Sequence, residues 1–426
     1  MLTINDFLDK VKPVTIDGIL DEEYEIARTL YRTQGGNPVV MKGKRTKFYI
    51  SGNLVSTRQA LLKAAFVDND EELYVKLNST PLSIQQSFEM HNFSDYYVKT
   101  PLKLSELGFC KFYEKDGGWY INSGIIVTKI NNSYNASIHR LMLIDEKRMT
   151  LRIVPRHLYY AYTRAKEKGD ELPITILLGN HPLYLLLASN SPPLGIYEFT
   201  YLPIFLNKKA MAANSPLYGN LIPLGSSVVI EARITLNETE EGPYLDALMT
   251  YDSKRMQPVI EIDEIWVSMK QPLYLHALLP GGYEHAFLMG TPREASIWYS
   301  VSKVVPKVHK VRLTPASGGW LHAIISITKN HDGDGKNAIM AAFAGHPSLK
   351  HVVVVDDDID PDDISQVEWA IATRFQAHRG LVIINEARGS TLDPSSIDGK
   401  TSKMGIDATV PVKEREKYRR GVIPGA

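Results

Sequence analysis

The spacing of apolar residues changes twice along the chain, which divides it into three stretches. In the first stretch, apolar positions three and four apart predict helices at residues 21–33 and 56–66. Alternating apolar and polar positions predict strands across residues 38–50. Thr100 precedes Pro101, which disfavours helix, so we expect a boundary close to residue 100. The first stretch is therefore predicted to be an N-terminal α/β domain, residues 1–100.

The second stretch, from about residue 119 to 266, contains short runs rich in β-branched and aromatic residues. Gly, Pro, Asn and Asp separate the runs, and one helix is predicted at residues 159–168. The predicted strands are residues 120–129, 137–144, 150–154, 174–178, 227–236 and 259–269. Many short strands at this spacing indicate a sheet or a barrel. We therefore predict a central β domain at residues 101–300.

The third stretch alternates helices with strands. Helices are predicted at residues 295–304, 336–344 and 365–373, and strands at residues 310–313, 323–328, 351–355 and 380–384. This alternation is typical of an α/β layer with a partly parallel sheet. Residues 301–426 are therefore predicted to be a C-terminal α/β domain, and the chain as a whole to belong to the α+β or α/β class.

Composition and charge narrow the classes of function. The chain has 426 residues, 44% of them hydrophobic, which is enough for two or three domains. Lys plus Arg and Asp plus Glu number 48 each, so the net charge gives no reason to expect nucleic-acid or anionic-membrane partners. Cys110 is the only cysteine, which excludes an intrachain disulfide. Neither a secretory signal nor an apolar run of membrane-spanning length is seen, so we expect a soluble cytoplasmic protein.

Residues 135–140 (Asn-Ala-Ser-Ile-His-Arg) place an arginine on a predicted strand. A buried arginine is costly unless an acidic side chain or a ligand pairs with it. Asn135 and Arg140 are five residues apart, so a regular strand would put them on opposite faces, although a bulge could realign them. From the residues alone, the more ordinary interpretation is an exposed arginine on a surface strand.

Residues 241–246 (Glu-Gly-Pro-Tyr-Leu-Asp) place two carboxylates on either side of a Gly-Pro turn. Such a turn can bring Glu241 and Asp246 to one guanidinium, and two neighbouring acids can have their pKa values driven apart. That arrangement would suit a proton donor held beside a fixed positive charge. The ordinary alternative is a solvated acidic loop, because Glu238, Glu240 and Glu241 lie close together in the sequence.

An acidic run, residues 356–363, directly follows a predicted strand. Acids at the carboxyl end of a parallel strand lie where α/β proteins bind ligands, and clustered carboxylates can hold Mg²⁺ or Ca²⁺. The same acids can cap the helix that follows, and this is the interpretation we favour. The chain contains no His-Glu-x-x-His, Walker A, Gly-x-Gly-x-x-Gly or Gly-x-Ser-x-Gly motif. Zinc-protease, NTPase, nicotinamide and common hydrolase functions therefore have no support.

Six segments, taken in order, resemble the motifs of the UbiD family of decarboxylases that depend on prenylated FMN. They are residues 52–58 (Gly-Asn-Leu-Val-Ser-Thr-Arg), 116–121 (Asp-Gly-Gly-Trp-Tyr-Ile), 135–140, 179–182 (Gly-Asn-His-Pro), 241–246 and 402–409 (Ser-Lys-Met-Gly-Ile-Asp-Ala-Thr). The last two segments are specific to the family, although Ile406 is an extra residue against its pattern. The resemblance implies an N-terminal α/β domain, a central split β-barrel of the flavin-reductase type that binds the cofactor, and a C-terminal α/β domain for oligomerisation and closure of the active site.

The resemblance also implies a cofactor site. The metal ligands would be Asn135, His157 and Glu198, a donor set that suits Mn²⁺ (or Mg²⁺), with K⁺ nearby. The residues implied to contact the cofactor are Asn135, Ser137, Ile138, Arg140, Arg156, His157, Ser189, Glu198 and Lys403. Among these, Lys403 would lie against the cofactor phosphate as a point charge. The segment that ends at His157 is shifted by one residue against some relatives.

Three further roles follow from the resemblance. Arg140 would hold the carboxylate of the substrate, and Glu241 would orient Arg140. Asp246 would protonate the carbon atom that loses CO₂. The prenylated flavin would take up the departing electrons, while the protein supplies position and charge.

The implied reaction is the non-oxidative decarboxylation of an α,β-unsaturated carboxylic acid. The compact chain is similar to an archaeal branch that converts trans-anhydromevalonate 5-phosphate to isopentenyl phosphate. The candidates for binding a substrate phosphate are Lys44, Arg45, Arg156, Lys307 and Lys310. The alternatives are a decarboxylase of 4-hydroxy-3-polyprenylbenzoate or another aromatic acid, and an inactive flavin-binding homologue. A flavin prenyltransferase would supply the cofactor, and the family implies a homo-oligomer, either a dimer or a hexamer.

Overall fold

The computed structural model describes residues 1–421 and divides the chain into two compact units. The first unit is Met1–Leu288, and the second begins at Met289. The division falls within one helix, Tyr283–Val301. The finer division into three domains stays a prediction.

The first unit combines short helices with many strands. Its helices are α1 (Ile4–Val11), α2 (Glu25–Thr33), α3 (Arg58–Ala64), α4 (Asp70–Leu77), α5 (Ile84–Ser87), α6 (His157–Glu167), α7 (Pro182–Ser189) and α8 (Leu202–Leu206), with 3-10 helices at Phe93–Asp95, Leu104–Glu106 and Glu198–Tyr201. Its strands are β1 (Val14–Leu20), β2 (Val39–Gly43), β3 (Tyr49–Gly52), β4 (Phe88–Met90), β5 (Tyr97–Lys99), β6 (Tyr120–Ile130), β7 (Ser133–Leu143), β8 (Arg148–Leu151), β9 (Leu172–Leu178), β10 (Ala210–Asn214), β11 (Leu221–Pro223), β12 (Val228–Glu241), β13 (Tyr244–Leu245), β14 (Tyr251–Asp252), β15 (Arg255–Ser268) and β16 (Tyr274–His276).

Six of these strands close into an antiparallel barrel. Their order is β12-β9-β6-β7-β8-β15, and β15 pairs again with β12 to complete the ring. Strand β5 joins the barrel from outside, through β15. Closure satisfies the hydrogen-bonding groups that an open sheet would leave at its edges. The predicted central barrel is therefore confirmed.

Alternation along the barrel strands fills the interior with branched side chains. Residues without exposed surface include Ile126 on β6, Leu141 on β7, Ile176 on β9, Ile230 on β12 and Ile260 on β15, which belong to one apolar cluster. Burying one such side chain stabilises the fold by roughly 1.5–3 kcal/mol. Because successive residues of a strand point to opposite faces, the outer faces remain available for other side chains.

A four-stranded mixed sheet, β1-β2-β3-β16, packs beside the barrel strands β6 and β7. Strands β1 and β2 are parallel, β2 and β3 antiparallel, and β3 and β16 parallel. Met41 and Ile50 of this sheet share an apolar cluster with Tyr120 and Met142. Because Met142 directly follows Leu141, which points into the barrel, this cluster encloses the outer face of β6 and β7.

The second unit is a mixed sheet with helices on both faces. Its elements are α9 (Tyr283–Val301, which begins in the first unit), β17 (Lys307–Leu313), β18 (His322–Thr328), α10 (Asp334–Gly345), β19 (His351–Asp356), α11 (Ile364–Arg374), α12 (Ala377–Gly380), β20 (Leu381–Arg388) and β21 (Lys400–Asp407), with 3-10 helices at Pro315–Ser317 and Val412–Tyr418. The strand order is β17-β18-β19-β21-β20, and β18, β19 and β21 are parallel. Across residues 1–421, no helix is long and apolar enough to cross a membrane.

The apolar run on β19 is explained by burial on both faces of this sheet. Val354 packs in one cluster with Ile339 of α10, whereas Val353 packs in the opposite cluster with Val367 of α11. A strand covered on both sides needs no polar face, so its sequence is continuously apolar. The predicted C-terminal α/β layer is therefore confirmed.

The acidic run 356–363 caps a helix, as predicted, and it also forms ion pairs that were not predicted. Asp363 is the N-cap of α11, and its carboxylate accepts hydrogen bonds from backbone N–H groups of the first turn. The other acids pair as follows: Asp356 and Asp358 with Arg374, Asp357 with Arg415, and Asp360 and Asp362 with Lys310. Each acid of the run already has a protein partner, so this segment shows no sign of a cation site.

Several helices differ from the predictions, and for α9 and α7 the physical reason is clear. Helix α9 begins at Tyr283, well before the predicted start at residue 295, because Gly290 and Pro292 lie inside the helix rather than in a loop. Helix α7 was not predicted, because all of Pro182–Ala188 is buried and its sequence has no polar face. Strand β21 was not predicted either, and it pairs with both β19 and β20.

The turn at Gly179 provides a test of the fold. Gly179 has a φ of +66°, and a Cβ there would lie 2.0 Å from the carbonyl oxygen of Tyr274. Gly169 has a φ of +77° and open space around it. We expect Gly169→Ala to lower the free energy of unfolding by about 1 kcal/mol through backbone strain alone, and Gly179→Ala by about 3 kcal/mol because the backbone must also move. Urea unfolding of both variants measures the difference, and equal losses would contradict the packing at Gly179.

Candidate active site

Strand β7 carries polar side chains on both of its faces. Asn135, Ser137 and His139 alternate along one face, where Ser137 Oγ lies 3.2 Å from Asn135 Oδ1 and 2.9 Å from His139 Nε2. The His139 ring is buried, and burial lowers its pKa to about 4, so the imidazole is neutral. Arg140 points the other way, as the odd spacing from Asn135 predicts.

The first face leads to a buried carboxylate. Glu198 begins a 3-10 helix, and its side chain accepts hydrogen bonds from Asn135 Nδ2 at 2.8 Å and from the Ala136 N–H at 2.6 Å. His157, the first residue of α6, has its Nδ1 4.0 Å from Glu198 Oε1. Burial raises the pKa of Glu198 to about 8, and these hydrogen bonds oppose the rise only in part. The structure thus brings together the three residues predicted to bind a metal.

The chemistry of these three groups fits a divalent cation. They offer an amide oxygen, an imidazole nitrogen and a carboxylate, donors that suit a hard-to-borderline ion such as Mn²⁺ or Mg²⁺. Within residues 1–421, no cluster of three or more His, Cys, Asp or Glu residues could hold a metal. A set completed by Asn135 is compatible with that finding, because an amide supplies one of the three donors.

On the opposite face of β7, Arg140 and Glu241 form a bidentate ion pair. Arg140 Nε and Nη2 each donate to one oxygen of the Glu241 carboxylate at 2.8 Å. Glu241 has no exposed surface, and Tyr120 donates a further hydrogen bond to it at 3.2 Å. The Tyr244 ring lies 4.1 Å from the guanidinium carbon. Burial lowers the pKa of Arg140, but the bonds to Glu241 outweigh that effect and raise the pKa overall.

A bulge in the neighbouring strand lies directly opposite Arg140. Ile121 pairs with Leu141 and Gly124 pairs with His139, so two residues of β6 face the single residue Arg140. A bulge increases the local twist and changes the direction of nearby side chains. The bulge is therefore on β6, and β7 itself is regular. The bulge changes the residues around Arg140, but it does not change the face of β7 from which Arg140 projects.

Asp246 lies in the turn after β13 and stands apart from the Arg140–Glu241 pair. Its carboxylate accepts hydrogen bonds from the Leu248 N–H at 2.8 Å and the Thr250 hydroxyl at 3.3 Å. Within residues 1–421, no hydrogen bond or ion pair links it to Arg140 or Glu241. Burial raises the pKa of Asp246, which favours a protonated carboxyl group.

Two of the motif-like segments are in direct contact. The Gly117 N–H donates to Pro243 O at 2.8 Å, and a Cβ on Gly117 would lie only 1.9 Å from Gly242 O. Any larger residue at position 117 would push the Gly-Pro turn away. The segment 116–121 therefore supports the turn that separates Glu241 from Asp246.

The other predicted contact residues have more varied surroundings. Ser137 and Ile138 lie on β7, Arg156 Nη1 is 3.3 Å from Ser191 Oγ, and Ser189 donates to Leu186 O and Leu288 O. Lys403 lies on β21 in the second unit, where its ammonium donates to Pro347 O and Leu349 O. Its contact with a cofactor phosphate stays a prediction.

Of the five residues considered for a substrate phosphate, four have other partners, including Arg156 with its contact to Ser191. Lys44 pairs with Asp21, Arg45 lies over the Trp119 ring, and Lys310 binds Asp360 and Asp362. Lys44, Arg45 and Arg156 belong to the first unit, whereas Lys307 and Lys310 belong to the second.

Residues missed by the sequence interpretation complete the surroundings of Arg140. Asp252 Oδ2 lies 3.5 Å from Arg140 Nη2 and 3.4 Å from Arg152 Nε. Asp252 reaches this position because β14 pairs with β13, which follows Glu241. Residues 246–250 contain no Gly, Pro or Asn to mark a hairpin, so the pairing could not be predicted from these residues.

Two family models match the chain. Residues 87–283 match the Rift-related domain of 3-octaprenyl-4-hydroxybenzoate carboxy-lyase, designated UbiD. Residues 286–408 match the C-terminal domain of the same carboxy-lyase. Together the two matches cover most of the chain, including all the residues of the candidate site described above.

Proteins of similar sequence align with this chain over nearly its full length. The anhydromevalonate phosphate decarboxylase of Aeropyrum pernix is 48% identical, across 99% of this chain and 96% of the relative. The anhydromevalonate phosphate decarboxylase of Methanocaldococcus jannaschii is 39% identical, across 99% of this chain and 100% of the relative.

A solved structure of similar fold contains a flavin. The UbiD-class enzyme HmfF from Pelotomaculum thermopropionicum in complex with FMN superposes with a TM-score of 0.93 and 31% identity, covering 99% of this chain and 97% of that one. An evolved dimeric form of the same enzyme in complex with prFMN gives a TM-score of 0.89 and 28% identity, covering 100% and 98%.

The buried ion pair makes a prediction that needs no cofactor. Arg140→Met leaves the Glu241 carboxylate buried without its cation, so we expect a loss of about 3 kcal/mol in the free energy of unfolding. Adding Glu241→Gln removes the unpaired charge and should recover part of that loss. The control is Arg148→Met, because Arg148 pairs with Asp145 in solvent and its loss should leave the free energy of unfolding almost unchanged. Urea unfolding of the cofactor-free chain measures all three, and a double variant less stable than Arg140→Met would contradict the pairing.

Proposed function

Because the chain belongs to the UbiD family of carboxy-lyases, we propose that it removes CO₂ from trans-anhydromevalonate 5-phosphate to give isopentenyl phosphate, with prenylated FMN as its cofactor. The observation that carries the proposal is the full-length similarity to relatives with that activity in their names, at 37–48% identity. The solved relatives with FMN and prFMN support the choice of cofactor. The paired Arg140 and Glu241 supply a suitable group for the reacting carboxylate.

In this reaction Arg140 binds the carboxylate that leaves as CO₂. A guanidinium presents donors in a planar fork, and Glu241 occupies one edge of that fork through Nε and Nη2. The remaining donors are then aimed in a fixed direction, which holds the substrate in one orientation. Glu241 acts through Arg140, so its role is positioning.

Asp246 donates a proton to the carbon atom that has lost CO₂. A carboxyl group can do this only while it is protonated, and burial raises the pKa of Asp246 in the required direction. Its hydrogen bonds to Leu248 and Thr250 hold the side chain in the turn. Binding of the substrate carboxylate and donation of the proton are thus assigned to different side chains.

Asn135, His157 and Glu198 would hold Mn²⁺ or Mg²⁺ together with the cofactor, with K⁺ nearby. Asn135 and Glu198 are buried and His157 is half-buried, and their mixed oxygen and nitrogen donors support this assignment. Ser137, Ile138, Arg156 and Ser189 complete the cofactor contacts within the first unit. When bound, prenylated FMN supplies an electron sink for the bond that breaks.

The wider setting belongs to the same proposal. Residues 101–300 are the cofactor-binding domain, between α/β domains at residues 1–100 and 301–426. A flavin prenyltransferase supplies the cofactor, and the protein works in the cytoplasm as a homo-oligomer, a dimer or a hexamer. The dimeric form of a similar enzyme supports the oligomer in part.

Turnover by the loaded protein tests the proposed function. Co-expression with a flavin prenyltransferase should give a coloured protein that releases one CO₂ per isopentenyl phosphate formed from trans-anhydromevalonate 5-phosphate. A 4-hydroxy-3-polyprenylbenzoate should not be turned over, and the colourless protein made without the prenyltransferase is the control. If only the aromatic acid were turned over, the proposed substrate would be wrong. If a coloured protein turned over neither acid, the proposed decarboxylase activity would be wrong.

The pH dependence of kcat tests the role of Asp246. Because the donor must be protonated, kcat should be level at low pH and fall about tenfold per pH unit above the pKa of Asp246. Burial raises that pKa, so the fall should begin at a higher pH than for an exposed carboxyl group. Asp246→Asn should keep the bound flavin and lose about 100-fold or more in kcat.

The matched control for that variant is Glu240→Gln. Glu240 lies on β12 next to Glu241, but its side chain is exposed and pairs with Lys254 in solvent. We expect its kcat and pH profile to be unchanged. A wild-type pH profile in Asp246→Asn would assign the proton donor elsewhere.

A further inference from the structure

Three arginines converge on the carboxylate of Asp252. Arg255 Nη2 lies 2.7 Å from Asp252 Oδ1, while Arg152 Nε and Arg140 Nη2 lie 3.4 and 3.5 Å from Oδ2. Arg152 follows β8, Arg255 begins β15, and Asp252 ends β14. The cluster is thus assembled from separate strands of the first unit, next to the group that we assign to the reacting carboxylate.

Positive charge exceeds negative charge in this cluster. Glu241 neutralises Arg140, which leaves Asp252 as the carboxylate for Arg152 and Arg255. Burial lowers the pKa of Arg152, and the nearby charges of Arg255 and Arg140 lower it further. Arginine nevertheless stays protonated in proteins. Three guanidinium groups against two carboxylates leave one positive charge uncompensated, which favours binding of an anion.

We propose that Arg152 and Arg255 form a subsite for a phosphomonoester, the second anionic group of a substrate whose carboxylate lies on Arg140. The inference rests on the proposed function and adds to it the residues that recognise the phosphate. Guanidinium groups suit this ligand because their paired N–H donors match phosphate oxygens. Asp252 holds the two side chains in place before the substrate arrives.

Exposure gives the direction in which the substrate lies. The side chains of Arg140, Arg152 and Arg255 are 12%, 21% and 47% exposed, so the cluster rises from the interior to the surface. The reacting carboxylate would occupy the buried end, where water is excluded, and the phosphate the wetter end, where it keeps part of its hydration. The single carboxylate of Asp252 contacts both Arg140 and Arg152, so their guanidinium groups lie close together. A substrate that binds both arginines must therefore have its two anionic groups close together, as in a short acid.

The experiment compares two acids on four proteins loaded with cofactor. The acids are trans-anhydromevalonate 5-phosphate and the same acid without its phosphate. The proteins are the wild type, Arg152→Gln, Arg255→Gln and the control Arg148→Gln. Arg148 is matched to Arg255, because each pairs with an aspartate three residues earlier and each is about half exposed.

For the phosphorylated acid, we expect Arg152→Gln and Arg255→Gln to raise KM about 10-fold to 100-fold, as expected for loss of a charge-assisted contact. For the acid without phosphate, kcat/KM should be the same in all four proteins. Calorimetric titration of the cofactor-free proteins with the two acids should show the same separation in Kd. Arg255→Gln keeps the test valid if Arg152→Gln folds poorly, since the Arg255 side chain is about half exposed.

Each of the other possible results contradicts either the phosphate subsite or the proposed function. If the variants match Arg148→Gln on both acids, or lose equally on both, the phosphate subsite is wrong, and equal loss means that the arginines position Arg140 instead. If the wild type turns over neither acid, the proposed function fails before the subsite is tested by turnover, and the calorimetric titration then decides the subsite by itself.

Discussion

A carboxylate removed from water is destabilised by several kcal/mol unless a cation and hydrogen-bond donors replace the water. Glu241 has no exposed surface, so its position at the end of β12 fixes much of what surrounds it. Arg140 must approach from β7 with two donors, and Tyr120 must approach from β6 with a third. The barrel brings those strands together, and the Gly-Pro turn then carries the chain away to Asp246. The ion pair therefore ties the geometry of the site to the closure of the barrel.

The two faces of β7 allow one strand to serve two kinds of chemistry. Asn135 joins Glu198 and His157 on one side, while Arg140 joins Glu241 on the other. Because the strand is regular between them, the spacing of these two groups is set by the backbone rather than by flexible side chains. The electrostatics of the two faces also differ. Within residues 1–421, Glu198 forms no ion pair with a Lys or Arg side chain, and burial raises its pKa, whereas both oxygens of Glu241 are paired with Arg140.

Periodicity predicted a central sheet or barrel and the C-terminal α/β layer, because alternation and continuous apolar runs follow directly from one-sided and two-sided burial. The choice of a barrel came from the family resemblance. It did not predict α7, which is buried on every side, nor the early start of α9 through Gly290 and Pro292. The residues alone made Arg140 an ordinary surface arginine. The resemblance to a family indicated its role, and the structure shows that it pairs with the buried Glu241, a contact that the residues alone did not predict. The contact between Asp252 and Arg152 could not be predicted from the sequence. It joins strands that are distant in sequence, so it depends on barrel closure and on the β13–β14 pairing.

Asp252 raises the question of why a site for an anion should contain an acid. Three guanidinium groups packed together without a counter-charge would repel one another and move apart, and each would have to be reordered when a ligand bound. With Asp252 between them, the groups stay in place, at the cost of sharing part of their charge. A phosphate then meets donors that are already oriented, so little conformational entropy is lost on binding. The cluster keeps a net charge of one positive unit, and the Coulomb attraction of that charge for a dianion is about twice its attraction for a singly charged ligand at the same distance. The remaining positive charge thus favours a phosphomonoester over a second carboxylate, while Asp252 keeps the donors in place.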